Sequence, residues 1–284
     1  MKKAALLCLL LTLTFLARAE TLRDEIHSLE LGDGGEEHLL LLRNGRVVFI
    51  AADEAKAFVE SELKPGDRVE VVVDKHSSLK AISSLPPEKE EDWEEDSPEG
   101  PALGEPTVFS SYAEAKALFA QMNRTYKSSS ECTDRAHIWA WEEWKKHGLV
   151  SKKVFLFFTR TYIRRYRYHW WFHASPFTYI SENGGVVEHV LDRRYTSYPH
   201  HMKPWTDIFI RSKKSCPVTT YRYYRTHKYG EEHCFLVKVP MYYRLPYHVR
   251  MLEDYGRTKS SFSTSEVNFS YRAFRRRGAK ATEN

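Results

Sequence analysis

Cys132 stands behind Ser128, Ser129, Ser130 and Glu131 and ahead of a run with helical spacing that ends at Gly148. A thiol at the first turn of a helix meets unpaired backbone N–H groups and the positive end of the dipole. Its pKa is therefore expected to fall and its thiolate to be favoured. Two later residues complete a chemical set: His173 within W-W-F-H-A and Asp192 closing V-L-D. A thiol paired with an imidazole is a strong nucleophile near neutral pH. A carboxylate on the far ring nitrogen then fixes the tautomer and stabilises the imidazolium. Each residue has a plainer reading by itself: an inert buried thiol, a core histidine flanked by Trp171 and Phe172, a turn-capping aspartate. Taken in this order and spacing, Cys132, His173 and Asp192 read as a nucleophile, a general acid and base, and an orienting carboxylate. Trp171, Trp205 and Arg135 are the candidate substrate contacts, set against core packing for the tryptophans and a structural role for Arg135. His137 points elsewhere on the helix than Cys132 and reads as a packing or hydrogen-bonding residue.

The elements that must hold this set can be followed along the chain. On the helix expected over 133–147, Cys132, Ala136, Trp139, Ala140 and Glu143 recur at intervals of three and four and share a face. Small Ala136 and Ala140 let that face approach a sheet closely. A helix precedes it over 112–122. Strands are expected over 154–159, 162–173 and 186–192, with a turn at Gly184-Gly185, and again over 219–225, 235–243 and 267–274. One helix-bearing segment followed by strands gives an α+β domain with a mostly antiparallel sheet. Upstream lies a small β-rich module. Runs over 38–42 and 47–51 meet at Asn44-Gly45, a strong hairpin signal. A short helix candidate covers 55–63, and Pro65-Gly66-Asp67 turns into a strand at Val69–Val73.

Charge divides the chain. From Pro106 onward there are 31 Lys and Arg against 15 Asp and Glu, whereas residues 20–105 hold 9 against 23, so the overall +5 conceals two oppositely charged halves. Residues 86–105 are carboxylates and prolines with almost no apolar side chains, which marks a solvated linker; Trp93 is the one residue a plain tether does not need. Lys2 and Lys3, an apolar run from Ala4 to Leu16 and Ala17-Arg18-Ala19 match a secretory signal peptide, with cleavage expected after Ala19. The organisation expected is therefore a signal peptide (1–19), a β-rich module and possible pro-segment (20–85), a linker (86–105) and a catalytic domain (106–284), secreted or periplasmic and without a membrane span. Loss of Cys8 with the leader leaves three cysteines. Cys216 and Cys234 are the expected disulfide, bracketing a strand, a turn and a returning strand, at about 3 kcal/mol for such a loop. A metal site drawn from Cys216, Cys234, His233, His200 and His201 lacks a paired C-x-x-C, so neither metal nor cofactor is expected.

The motifs C-T-D-R-A-H at 132–137, W-W-F-H-A at 170–174, V-L-D at 190–192 and Y-Y-R-L-P at 242–246 resemble the bacterial protein-glutaminases in order and spacing, over about residues 106–250. These are exported protein-glutamine deamidases with a papain- and transglutaminase-like arrangement. The resemblance implies that Cys132 attacks a glutamine carboxamide, that His173 protonates the departing ammonia, and that Asp192 orients the imidazole. Protein or peptide substrates are its implied partners, and the basic charge of the catalytic half makes acidic or unfolded ones the expected choice. Two positions depart from the pattern: Glu131 where a small residue is expected, and Arg193 where proline is expected.

Other chemistries fit the same residues. A cysteine protease or a transglutaminase uses the same triad and differs in the carbonyl attacked and the acceptor. A non-enzymatic alternative starts from Tyr162-Ile163-Arg164-Arg165-Tyr166-Arg167-Tyr168, where a basic and aromatic sheet face could bind nucleic acid; export argues against it, and no nucleic acid partner is expected. The charge split also raises the expectation of an autoinhibitory contact between the acidic N-terminal region and the basic catalytic half.

Overall fold

A computed structural model describes residues 19–33, 35–54, 63–86, 104–123 and 131–280, the side chains of 274–280 excepted. The expected signal peptide apart from Ala19, nearly all of the short helix expected over 55–63 and nearly all of the expected acidic linker, Trp93 included, lie outside the described residues. The chain divides into two compact units. One comprises residues 1–90 together with Arg167–Trp171, and the other comprises 91–166 and 172–284.

In the first unit the Asn44-Gly45 signal makes its hairpin, with β2 (His38–Leu42) and β3 (Val47–Ile50) in antiparallel register and Gly45 at φ 97°. Gly66 supplies the positive φ of the turn into β4 (Arg68–Val73). A long β1 (Glu20–Glu30) joins the two halves, and β5 (Leu79–Ser84) closes the sheet in the order β3-β2-β1-β4-β5. The long β1 was not legible in the sequence, because charged and polar residues dominate it and only Ile26 and Glu30 are buried. Ile26, Leu40, Leu42, Val48, Ile50, Val69, Val71 and Val73 form one apolar core. The five residues Arg167–Trp171 complete this unit: Val47 N–H donates to the His169 carbonyl (2.9 Å) and Trp171 N–H to that of Gly45 (2.8 Å).

The second unit is built on a sheet ordered β10-β9-β8-β7-β11, comprising β7 (Lys152–Phe158), β8 (Phe172–Glu182), β9 (Gly185–Val190), β10 (His200–His201) and β11 (Cys234–Pro240). The two-residue β6 (Val108–Phe109) runs parallel to β8. The pairings among β7, β8, β9, β10 and β11 are antiparallel, so the expected α+β class holds. Helix α1 (Tyr112–Gln121) is capped by Ser111, and α2 (Cys132–His147) ends at Gly148 in the left-handed region, at φ 67°. Ala136 and Ala140 are fully buried, Ala140 in an apolar cluster with Met241, Tyr242, Phe262 and Val267.

Three expected strands are helices: α3 (Arg160–Tyr166), α5 (Tyr221–His227) and α7 (Thr264–Lys280), with α4 (Met202–Phe209) and α6 (Pro246–Tyr255) also on this unit. The reason is the same in each. Thr159, Thr220 and Ser263 accept hydrogen bonds through their hydroxyls from the backbone N–H three residues on, at 3.2, 3.1 and 3.3 Å. Such N-caps start a helix, and they outweigh the strand preference of the tyrosine-rich or β-branched residues that follow. The basic and aromatic stretch at 162–168 is therefore no sheet face: Tyr162 and Ile163 are buried residues of α3 itself, and Arg167 turns the chain at φ 46°. The Cys216–Cys234 disulfide is formed, with α5 inside its loop rather than a strand hairpin.

Candidate active site

Cys132 is the first residue of α2, and its N-cap, Glu131, makes no side-chain capping bond. The first-turn N–H groups have no intrahelical acceptor. Its sulfur accepts a hydrogen bond from the backbone N–H of Ala174, the residue after His173 on β8. The expected low thiol pKa is overturned in the resting fold. Burial pushes Cys132 up to about 12, aided by the negative charges of Glu131 and Asp192, and the opposing effects of Arg135 and the Ala174 N–H do not offset it. Loss of water around the sulfur costs the thiolate more than the helix start returns.

His173 and Asp192 are brought together. His173 Nε2 and Asp192 Oδ2 lie 2.7 Å apart, and both residues are buried. With the imidazole proton on Nε2 donated to the carboxylate, Nδ1 is the nitrogen left for a thiol. Pairing of His173 with Leu156 across β7 and β8 sets it in the sheet. Asp192 sits just past β9, held from several sides. Trp205 Nε1 donates to Oδ2 (3.0 Å), the Arg194 N–H donates to Oδ1 (3.2 Å), and the Asp192 carbonyl accepts from Thr196 Oγ1 (2.9 Å). Burial alone would raise this carboxyl. The charge and hydrogen bond of His173, the Trp205 N–H and the charge of Arg135 outweigh it and hold the carboxyl below its usual range.

Aromatic rings wall the imidazole. Phe209 lies 4.5 Å from it between centroids, Trp205 5.8 Å away, and Tyr195 meets it edge-on at 5.2 Å. Of these, Tyr195 is the exposed one. Of the expected substrate contacts, Trp205 is fully buried, with its indole N–H donated to Asp192. Trp171 is likewise buried; its N–H is donated to the Leu42 carbonyl (2.8 Å) and its ring stacks on His27 at 4.4 Å, inside the first unit. Arg135 is 5% exposed, and its charge acts on Cys132, Asp192 and Tyr195 alike.

Residues the sequence did not single out complete the support. Asp134 Oδ1 accepts from Arg244 Nε (2.9 Å) and Nη2 (2.6 Å) and from Ser270 Oγ (3.0 Å), all buried. This pair ties the first turn of α2 to the Y-Y-R-L-P motif. Both residues stand within quoted motifs, which was the available signal. His137 is buried beside Lys153 Nζ at 3.3 Å and the ring of Phe262, as a packing residue. Arg193, standing where proline was expected, donates to the Ala120 carbonyl (3.1 Å) and lies over Phe119. It fastens the loop after Asp192 to α1 by other means.

Residues 107–209 match the glutaminase family. Among solved structures the chain is similar to a pro-protein-glutaminase crystal structure, at 12% identity over 80% of this chain and 84% of that one, with TM-score 0.45. It is also similar to the protein-glutaminase from Chryseobacterium proteolyticum solved by NMR, at 14% identity over 57% and 85%, with TM-score 0.37. No curated protein matches the chain by sequence. Among the described residues no helix is long and apolar enough to cross a membrane. Cys132, His173 and Asp192 all lie inside residues 107–209, the segment that matches the glutaminase family.

Proposed function

We propose that the chain is an exported protein-glutamine deamidase working through Cys132, His173 and Asp192. The observation that carries this is the buried His173–Asp192 bond, braced by Trp205 and directly adjoining Ala174, whose N–H meets the Cys132 sulfur, all within the glutaminase segment. Because burial keeps the thiol protonated, His173 Nδ1 takes its proton as the sulfur attacks the carboxamide carbon of a glutamine side chain. The C–N bond then breaks as His173 returns that proton to the departing ammonia, which leaves a thioester. Water, deprotonated by His173, adds to the thioester; the C–S bond breaks, glutamate forms and the thiol is restored. N–H groups at the start of α2 are the natural donors for the oxyanion. Asp192 stabilises the imidazolium in both halves. Tyr195, exposed and edge-on to His173, forms the lip over which a substrate side chain enters.

Ammonia release from a denatured, glutamine-rich protein tests the reading, together with mass spectrometry of the treated substrate. Expected is the mass gain of oxygen replacing NH, on an uncut and uncrosslinked chain, lost in Cys132→Ala with the fold retained. Equal release from the variant overturns the nucleophile. Cut or joined substrate chains would instead assign a protease or a transglutaminase.

A further inference from the structure

We propose that Glu182, His189 and His201 bind a divalent transition-metal ion, with Zn²⁺ as the fitting case, at a site separate from the Cys132 chemistry. The three come from adjacent strands and share one sheet face. His201 pairs directly with His189 across β9 and β10, and Glu182 pairs with Gly185, which is in step with His189 along β9. Their potential ligand atoms all lie within 4.8 Å of one another. His189 Nε2 is 3.2 Å from Glu182 Oε1, and His201 Nε2 is 3.6 Å from Glu182 Oε2. Ligand atoms held at ~2.0–2.1 Å on a tetrahedral Zn²⁺ stand about 3.3 Å apart, so these separations already suit one ion between them.

The second observation is the state of His189. Its ring is fully buried, and Nδ1 lies 3.4 Å from the Val187 carbonyl, an acceptor for a proton on Nδ1; in that tautomer Nε2 is a bare lone pair. Among the described residues that Nε2 makes no hydrogen bond, although it faces the Glu182 carboxylate. Two lone-pair atoms facing each other in a buried place repel unless a proton or a cation stands between them. Metal-bound histidines carry this same arrangement, with the second ring nitrogen donated to a backbone carbonyl. Two imidazoles and one carboxylate suit Zn²⁺ and its neighbours rather than Ca²⁺ or Mg²⁺. The His201 side chain is 51% exposed, which gives the ion an entry path and leaves a fourth position for water. The ion would join β8, β9 and β10 just ahead of α4, the helix whose Trp205 holds Asp192.

The test uses the full, untagged chain, stripped with a chelator and dialysed against Zn²⁺. Metal content is read by mass spectrometry, affinity by calorimetry, and geometry by the visible spectrum of the Co²⁺ form. Expected are one bound Zn²⁺ per chain, tetrahedral Co²⁺ bands, and a melting temperature raised by Zn²⁺. Each of these is lost or weakened at least about tenfold in His201→Ala and in Glu182→Gln, two partly exposed positions that leave the core intact, and each is retained in His200→Ala. Wild-type binding no tighter than that of His201→Ala overturns the proposal, as does binding that disappears in His200→Ala but survives in His201→Ala. Either result would make the trio a simple histidine–carboxylate ion pair.

Discussion

Asp192→Asn is the perturbation whose outcome the geometry fixes most sharply. Asp192 Oδ2 accepts from both His173 Nε2 and Trp205 Nε1, while Oδ1 accepts from the Arg194 N–H. An asparagine has one oxygen for these three donors. If its amide nitrogen faces His173, it also faces the Trp205 N–H, donor against donor, and the imidazole proton is forced onto Nδ1, where it blocks the thiol. If its oxygen faces His173 and Trp205, only the weaker Arg194 contact is lost and the tautomer survives. The second orientation is favoured because Trp205 is fully buried and cannot turn away. What remains lost is the carboxylate charge. A charge-assisted hydrogen bond is worth ~1.5–3 kcal/mol against ~1 for a neutral one, so the imidazolium loses about 1–2 kcal/mol. That corresponds to about 5- to 30-fold in kcat/KM. Removing the indole donor as well, in Asp192→Asn with Trp205→Phe, frees the amide to rotate. The loss should then approach the ~10⁴-fold of triads whose tautomer is inverted. The assay is ammonia release against pH, with circular dichroism and melting curves confirming that both variants fold. A single variant already as slow as the double one would refute the role given to Trp205. A single variant at wild-type rate would remove Asp192 from the mechanism.

Three further outcomes follow from the burial of charge. Arg244→Leu leaves Asp134 buried without its ion-pair partner and should cost about 3–5 kcal/mol in urea unfolding, most of it recovered when Asp134→Leu is added; a cost below about 1 kcal/mol would contradict the pair's place under α2. Burial pushes the Glu143 carboxyl from 4.5 up to about 7, so the folded state holds its proton more tightly than the unfolded one. Stability from this group is thus full below about pH 4.5 and is lost as pH rises toward 7. Glu143→Gln should match wild type at pH 4 and exceed it at pH 8 by up to about 3 kcal/mol, whereas equal melting at pH 8 would count against the shift. A Cys132 thiol raised from 9.0 to about 12 holds about a thousandth of the thiolate of a free cysteine at pH 8, so iodoacetamide should alkylate the resting chain slowly, with a rate still climbing above pH 9. A rate that levels off near neutral pH would instead point to a resting thiolate–imidazolium pair.

Local signals explain what was readable. Asn44-Gly45 made its hairpin and Gly148 ended α2, because turn and cap chemistry acts over a few residues and needs no distant partner. The same class of signal was overlooked at Thr159, Thr220 and Ser263. There the composition that follows, Tyr162 and Tyr166, Tyr221 to Tyr224, or Val267 and Phe269, reads as strand, yet the cap decided for helix. At 162–168 that choice removed the flat basic face on which the nucleic acid reading depended.

By itself the sequence determined the residue types able to do the chemistry, their order, the helix that starts at Cys132 and the α+β class, since those depend on spacing and on short-range backbone preferences. Only the tertiary structure decided the electrical state and the supports of the site. Burial raised the Cys132 thiol where the helix start alone would have lowered it. Trp205 turned from a groove wall into the donor that holds Asp192, and Asp134 met Arg244 from the far end of the domain. Glu182, His189 and His201 likewise became neighbours only through strand pairing. These properties depend on which groups share a place from which water has been excluded, and that follows from packing between segments distant along the chain.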